Sequence, residues 1–267
     1  MLTPHPTTTP HPMKLRSLIL ASLIAAPLAT AATGPLKDKA LALSASNKDS
    51  IVQLSATVEI EVTAGDKPTQ KEERKLEVVG TVINKDGLIV VPLSTLDLAA
   101  AVDGRTVKTQ QGPLKLSAKC DTKEVKIIMP DGTENPAKVV FKDTDLDLAF
   151  VRPEKTEGIT FTPVDIANNA PLAMMDDVIV LGRMGKDLNR EPLVVTTEIV
   201  AMITKPRTFA RIGASCLGLP VFNGDGKFIG FGINRFSPKA EESEQGPSAT
   251  NVVLPASDLI EAAAQAK

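Results

Sequence analysis

Residues 212–230 read IGASCLGLPVFNGDGKFIG. Inside this stretch Phe222 and Phe228 bracket Asn223-Gly224-Asp225-Gly226. Asn, Asp and Gly tolerate the positive φ that a tight turn needs, so the tetrad is a hairpin signal. The apolar run Leu219–Phe222 leads in and Phe228–Ile233 leads out, each the length of a short strand. The same pattern recurs outward along the chain. Leu76–Ile83 and Leu88–Val91 flank Asn84-Lys85-Asp86-Gly87, and Val125–Met129 and Ala137–Phe141 flank Pro130-Asp131-Gly132. Ile51–Val62 alternates apolar and polar residues, as a half-buried strand does.

Further runs at Leu146–Val151, Val178–Leu181, Leu193–Ile203 and Asn251–Leu254 continue the series. Many short strands at this spacing, with almost no helical period between them, predict an all-β barrel or sandwich. Helical pattern is confined to the ends. Asp38–Ala45 fits a short helix, and Ser257–Ala266 fits another, with Pro255 before it and Ser257 as a candidate cap. The polar stretch Ala64–Arg74, with the charge cluster Lys67–Lys75, predicts a solvated loop. Pro153–Asn168 reads as a connector between two halves.

Composition narrows the function classes. The 267 residues carry 30 Lys+Arg against 32 Asp+Glu, so no basic excess exists to neutralise phosphates and nucleic acid is not expected as a partner. Both histidines, His5 and His11, precede the first apolar segment, and two cysteines without a nearby histidine match no zinc spacing. No metal or cofactor is therefore expected; Gly182 and Gly185 read as turn glycines without a phosphate-binding context. Whether Cys120 and Cys216 form a bridge or remain separate buried thiols is open in the sequence.

The amino terminus reads as an address. From Met13, Lys14 and Arg16 supply charge, Leu18–Leu28 a short apolar core, and Ala29-Thr30-Ala31 a small-x-small cleavage site. This predicts a signal peptide within an extension covering 1–31, a periplasmic or secreted protein, and no stable membrane insertion after cleavage.

Three segments in register resemble the trypsin-like serine protease domain of the HtrA/Deg family. Residues 80–96 (GTVINKDGLIVVPLSTL) are similar to the family's strand–turn–strand leading to its catalytic histidine. Residues 125–151 (VKIIMPDGTENPAKVVFKDTDLDLAFV) are similar to its run into Asp-Leu-Ala, and 212–230 to its nucleophile loop. Asn251-Val-Val-Leu-Pro255 and the helix beyond resemble its last strand and helix. The resemblance covers about residues 48–265 and implies two Greek-key β-barrels of the chymotrypsin type with a short C-terminal helix: 48–153 forms the first barrel, 154–267 the second barrel and helix. It leaves no room in this sequence for the PDZ module that many relatives carry. With aromatic residues this scarce, it also favours a monomer.

The departures fall on the chemistry. The resemblance puts Ser94 where the family has histidine, Leu217 where it has serine, and retains only the acid, Asp147. A serine hydroxyl is a weak nucleophile until a neighbouring base takes its proton, and imidazole does so because its pKa lies near neutrality. Losing one such group costs a serine protease about 10⁶-fold in rate. Shifting the alignment by two would restore Ser215 as nucleophile, with Cys216 beside it, but no histidine would become available. The expectation is therefore an inactive protease fold with vestigial Ser94, Asp147 and Leu217. A strand edge around Gly232, Ile233 and Asn234 is left to bind an extended peptide or an envelope protein. The alternatives are a hydrolase with a non-histidine dyad at Ser215 or Cys216, or a purely structural envelope module.

Overall fold

The computed structural model describes residues 34–110, 112–129, 132–236 and 249–266. The expected signal segment and both histidines lie outside them. The described part forms one compact unit. It opens with helix α1 (Pro35–Asn47), whose first turn begins with a proline that needs no N–H partner there.

Strands β1 (Ile51–Ala64), β2 (Gln70–Val82), β3 (Ile89–Pro92), β4 (Thr106–Thr109), β5 (Gly112–Ile128), β6 (Glu134–Asp143) and β7 (Leu148–Pro153) follow. They pair in the order β1-β2-β3-β7-β6-β5, with β4 beside β5, and the β1–β5 ladder closes six of them into a barrel. The second barrel is built from β8 (Asp177–Arg183), β9 (Pro192–Ile203), β10 (Phe209–Ile212), β11 (Pro220–Asn223), β12 (Phe228–Phe236) and β13 (Ala249–Pro255), closed in the order β10-β13-β12-β11-β8-β9. Helix α2 (Ala256–Ala263) ends the described chain. The chain is thus all-β apart from its two helices, with two closed six-stranded barrels, as the sequence implies. Among the described residues no helix is long and apolar enough to cross a membrane.

A core runs through both barrels. Leu148 and Phe150 of β7 belong to one buried cluster with Phe222, Phe228, Phe231 and Ile233 of the second barrel. Burying side chains of this size contributes roughly 1.5–3 kcal/mol each, so the contact fixes the barrels against each other. The stretch between β7 and β8 is tied down as well: Val164 joins this shared core and donates its N–H to the Val82 carbonyl, while Phe161 packs into the separate core of the first barrel.

Several local expectations are corrected. Ala64–Arg74 is not a loop: β1 runs to Ala64 and β2 starts at Gln70, with Val62 opposite Gln70 and Val58 opposite Arg74. Ladder bonds to β1 suffice to make a strand there, and the charged side chains stay in water. β4 and β10 are four-residue strands too short to read, whereas β5 carries a readable alternation, Leu114, Leu116, Ala118 and Cys120 against Lys115, Ser117 and Lys119, that the expected strand series omits. Gly182 lies inside β8, where a Cβ would come within 3.1 Å of Leu219, and is not a turn residue. Ser257 does not cap α2: Pro255 holds the cap position, and the Ser257 hydroxyl bonds Asp258. Cys120 and Cys216 are both free thiols, Cys216 the more deeply buried.

Candidate functional site

Pro92 ends β3, and Leu93–Thr95 turn as a single 3-10 helix, which sets Ser94 facing the gap between the barrels. Opposite, the Asp143 carboxylate accepts the N–H groups of Asp145 and Leu146 and shapes the turn before β7. That turn delivers Asp147 in the left-handed region at φ 55°, and the Leu93 N–H bonds its carbonyl at 2.9 Å. Aspartate tolerates this conformation better than bulkier residues do.

Asp147 is only 7% exposed, and three donors converge on its carboxylate. Ser94 gives its backbone N–H at 2.6 Å and its hydroxyl at 3.0 Å; Asn234, on β12 of the second barrel, gives its backbone N–H at 2.8 Å. The Asn234 side-chain amide in turn donates to the Ser94 hydroxyl at 3.2 Å. The result is a closed ring of three residues spanning both barrels. Burial pushes the Asp147 carboxyl up to about 6, against the opposing pull of the Asn234 and Ser94 N–H groups, the Ser94 hydroxyl and the Arg235 charge. Arg235 itself donates to the Asp145 carbonyl at 2.8 Å and sits 5.0 Å from the Phe209 ring centre. Beside the ring lies a cavity of about 240 Å³ lined by Leu93, Asp97, Ala100, Asp145 and Phe236 among others.

The loop after β10 holds the other residues singled out in the sequence. Ser215 is exposed, Cys216 buried and Leu217 half-buried. Asn251 on β13 anchors this loop: its side-chain oxygen accepts the Cys216 N–H at 2.8 Å, and its amide donates to the Ile233 carbonyl at 2.9 Å. Burial pushes the Cys216 thiol up to about 12, so it carries no thiolate at neutral pH.

Gly232 is not an open edge. Its N–H donates to the Leu219 carbonyl at 3.0 Å, and its carbonyl accepts the Gly218 N–H at 2.9 Å. Leu217 thereby forms a parallel bridge with Gly232, and β13 occupies the other side of β12. A further strand cannot add at this position because the chain's own loop already uses both main-chain groups.

The structure thus brings Ser94, Asp147 and Asn234 together and leaves Ser215, Cys216 and Leu217 on a separate loop. Two roles carry no sequence signal: Asn234 as a partner of the acid, and Asn251 as the anchor of the loop. Both depend on the packing of strands distant in sequence: Asn234 reaches the acid with its backbone N–H, and Asn251 reaches the loop with its side chain. Chemically the ring can hold or release one proton. It cannot activate a serine as imidazole does, since the Ser94 hydroxyl already gives its proton to Asp147 and accepts a bond from Asn234.

No curated protein matches the chain. The apo MamO protease domain from Magnetospirillum magneticum is similar at 16% identity over 81% of this chain and 96% of that chain, with a TM-score of 0.49. The profile of the trypsin-like peptidase domain matches residues 79–231, more than half of the sequence and the part that contains Ser94, Asp147 and Leu217. The chain belongs to the trypsin-like peptidase domain family.

Proposed function

We propose that the chain is an exported, HtrA/Deg-like member of this family that no longer hydrolyses peptides and instead binds an extended peptide segment or envelope protein in the cleft. One observation carries the loss of hydrolysis: the acid is satisfied by Ser94 and Asn234, while both histidines of the sequence lie at positions 5 and 11, ahead of the domain. Leucine at position 217 offers no hydroxyl to activate. Export is supported by the charged and apolar segment up to Ala31.

Strand addition needs main-chain groups at an edge and pockets for alternate side chains. With Gly232 occupied and the Asn234 N–H held by Asp147, the binding edge moves along β12 to the Asn234 carbonyl and Phe236, beside the cavity that Leu93, Ala100 and Phe236 line. Isothermal titration of the full chain with a panel of unstructured peptides tests the proposal, with mass spectrometry of the peptides after prolonged incubation. The expected outcome is saturable binding that Phe236→Asp weakens at least about tenfold, roughly 1.4 kcal/mol, with every peptide recovered intact. Peptides recovered cleaved, or no heat from any of them, would contradict it.

A further inference from the structure

The outer side of β2 is an unpaired edge over most of its length. β1 pairs along the whole of residues 70–81, but β3 meets β2 only at Thr81 and Val82. Val82 donates its N–H to the Ser50 carbonyl at 2.8 Å, which fixes the phase of the ladder. In an antiparallel pair alternate residues bond the neighbouring strand, so Val82 and every second residue before it face β1. Lys71, Glu73, Lys75, Glu77 and Val79 therefore turn their N–H and C=O groups outward. The loop after β10 closes this edge at Val79, where a Cβ on Gly218 would lie 2.8 Å from the Val79 carbonyl oxygen. Residues 71–77 stay open, and all of them except Leu76 are exposed.

The outward residues alternate in charge along one face of the strand: Lys71, Glu73, Lys75, Glu77. Such a row is complementary to its own reversed copy. We infer that β2 pairs edge to edge with β2 of a second copy of this chain, antiparallel about a two-fold axis at Arg74. That register sets Lys71 opposite Glu77 and Glu73 opposite Lys75, each pair occurring on both sides of the axis. Each pair also exchanges main-chain hydrogen bonds in both directions, because these are the residues whose N–H and C=O groups point outward. An axis at Glu73 would put Glu73 on Glu73 and Lys71 on Lys75. An axis at Lys75 would put Lys75 on Lys75 and Glu73 on Glu77. Like charges directly opposite are unfavourable, so charge selects the Arg74 register.

The other side chains fit the same register. On the opposite face the Arg74 side chains of the two copies meet, but each is held by its own Glu72, Nε to Oε1 at 2.8 Å and Nη2 to Oε2 at 3.0 Å, which cancels the charge. At the ends of the row Lys71 bonds Glu61, and Glu77 lies 3.6 Å from Arg190. Among the described residues Glu73 and Lys75 enter no ion pair, so the centre of the row is left to answer a partner. Exposed strand edges are commonly guarded by charge. A row of one sign would repel its copy, whereas this alternating row attracts it. The scarcity of aromatic residues favours a monomer, but main-chain pairing draws on none. The edge belongs to the first barrel, so the inference holds whether or not the cleft takes a peptide.

Sedimentation equilibrium of the full chain tests the pairing. The expected result is a reversible monomer–dimer equilibrium with a Kd below about 1 mM. Glu73→Lys and Lys75→Glu should each weaken it at least about tenfold, because each turns the central opposite-charge pairs into like-charge ones. Mixed one to one, the two variants should pair with each other, since the introduced lysine then faces the introduced glutamate. The mixture should dimerise within about threefold of the unsubstituted chain. A chain that stays monomeric to about 1 mM, a dimer that both variants leave unchanged, or a mixture no stronger than either variant alone would overturn the inference. Should either variant fail to fold, amide hydrogen exchange of the unsubstituted chain decides. On dimerisation the outward Glu73 and Lys75 amides should gain protection, while those of Glu72 and Arg74, already bonded to β1, stay level. Equal gains at all of them, or none, would reject the pairing.

Discussion

Gly232 shows how one residue can exclude a function. A Cβ built on it would lie 1.7 Å from the Cys216 carbonyl oxygen, a backbone atom that the Leu219 N–H also holds. Only glycine allows the loop after β10 to seat against β12. Gly232→Ala should therefore cost about 3 kcal/mol or more, since neither backbone can yield without breaking bonds. Urea denaturation reads this as a lowered midpoint; an unchanged midpoint would mean the loop relaxes freely. The same crowding makes Phe236, not Gly232, the position at which to probe peptide binding. Ser94 and Asp147 were legible from motifs that lie in register along the chain. Asn234 was legible as a position in a strand but not as a partner of Asp147, because 87 residues separate them and only barrel packing joins them.

Among the strands, β2 teaches the most. Its first six residues are exposed, and their pairing with β1 is set by the ladder, not by a buried face. Apolar alternation is the signal that marks a strand in sequence, and here it is absent, so QKEERK resembles a loop. The hairpins around Asn84–Gly87 and Asn223–Gly226 were legible because turn chemistry is local: Gly87 donates to Asn84, and Gly226 to Asn223. The pairing of β2, β1 and β5 also lines up Glu73, Glu59 and Asp121 across three neighbouring strands. Lys123 answers Glu59 at 3.0 Å, but like charges directly opposite one another remain unfavourable. Glu73→Lys should raise stability by about 0.2–1 kcal/mol. Because the site is exposed, the gain should shrink in 1 M salt, on the order of a 3 Å screening length. A loss of stability at low salt would show that the row is not repulsive.

Taken together, the two barrels are joined by more than the shared apolar core. Arg183 of β8 donates to the Ile51 carbonyl at 2.7 Å and the Arg190 carbonyl at 2.8 Å, and it also reaches the Lys48 carbonyl. Gln53 of β1 donates to the Met184 carbonyl at 2.9 Å and accepts from Arg190. The two-barrel frame of the family is thus intact, while Ser94 and Leu217 stand where the resemblance to HtrA/Deg proteases puts the base and the nucleophile. This contrast between a preserved frame and a changed centre is the central claim, and labelling of the full chain with a fluorophosphonate, which marks activated serines covalently, tests it most directly. The account predicts no label beyond that found on heat-unfolded protein; stoichiometric label on the folded chain that disappears in Ser215→Ala would contradict it.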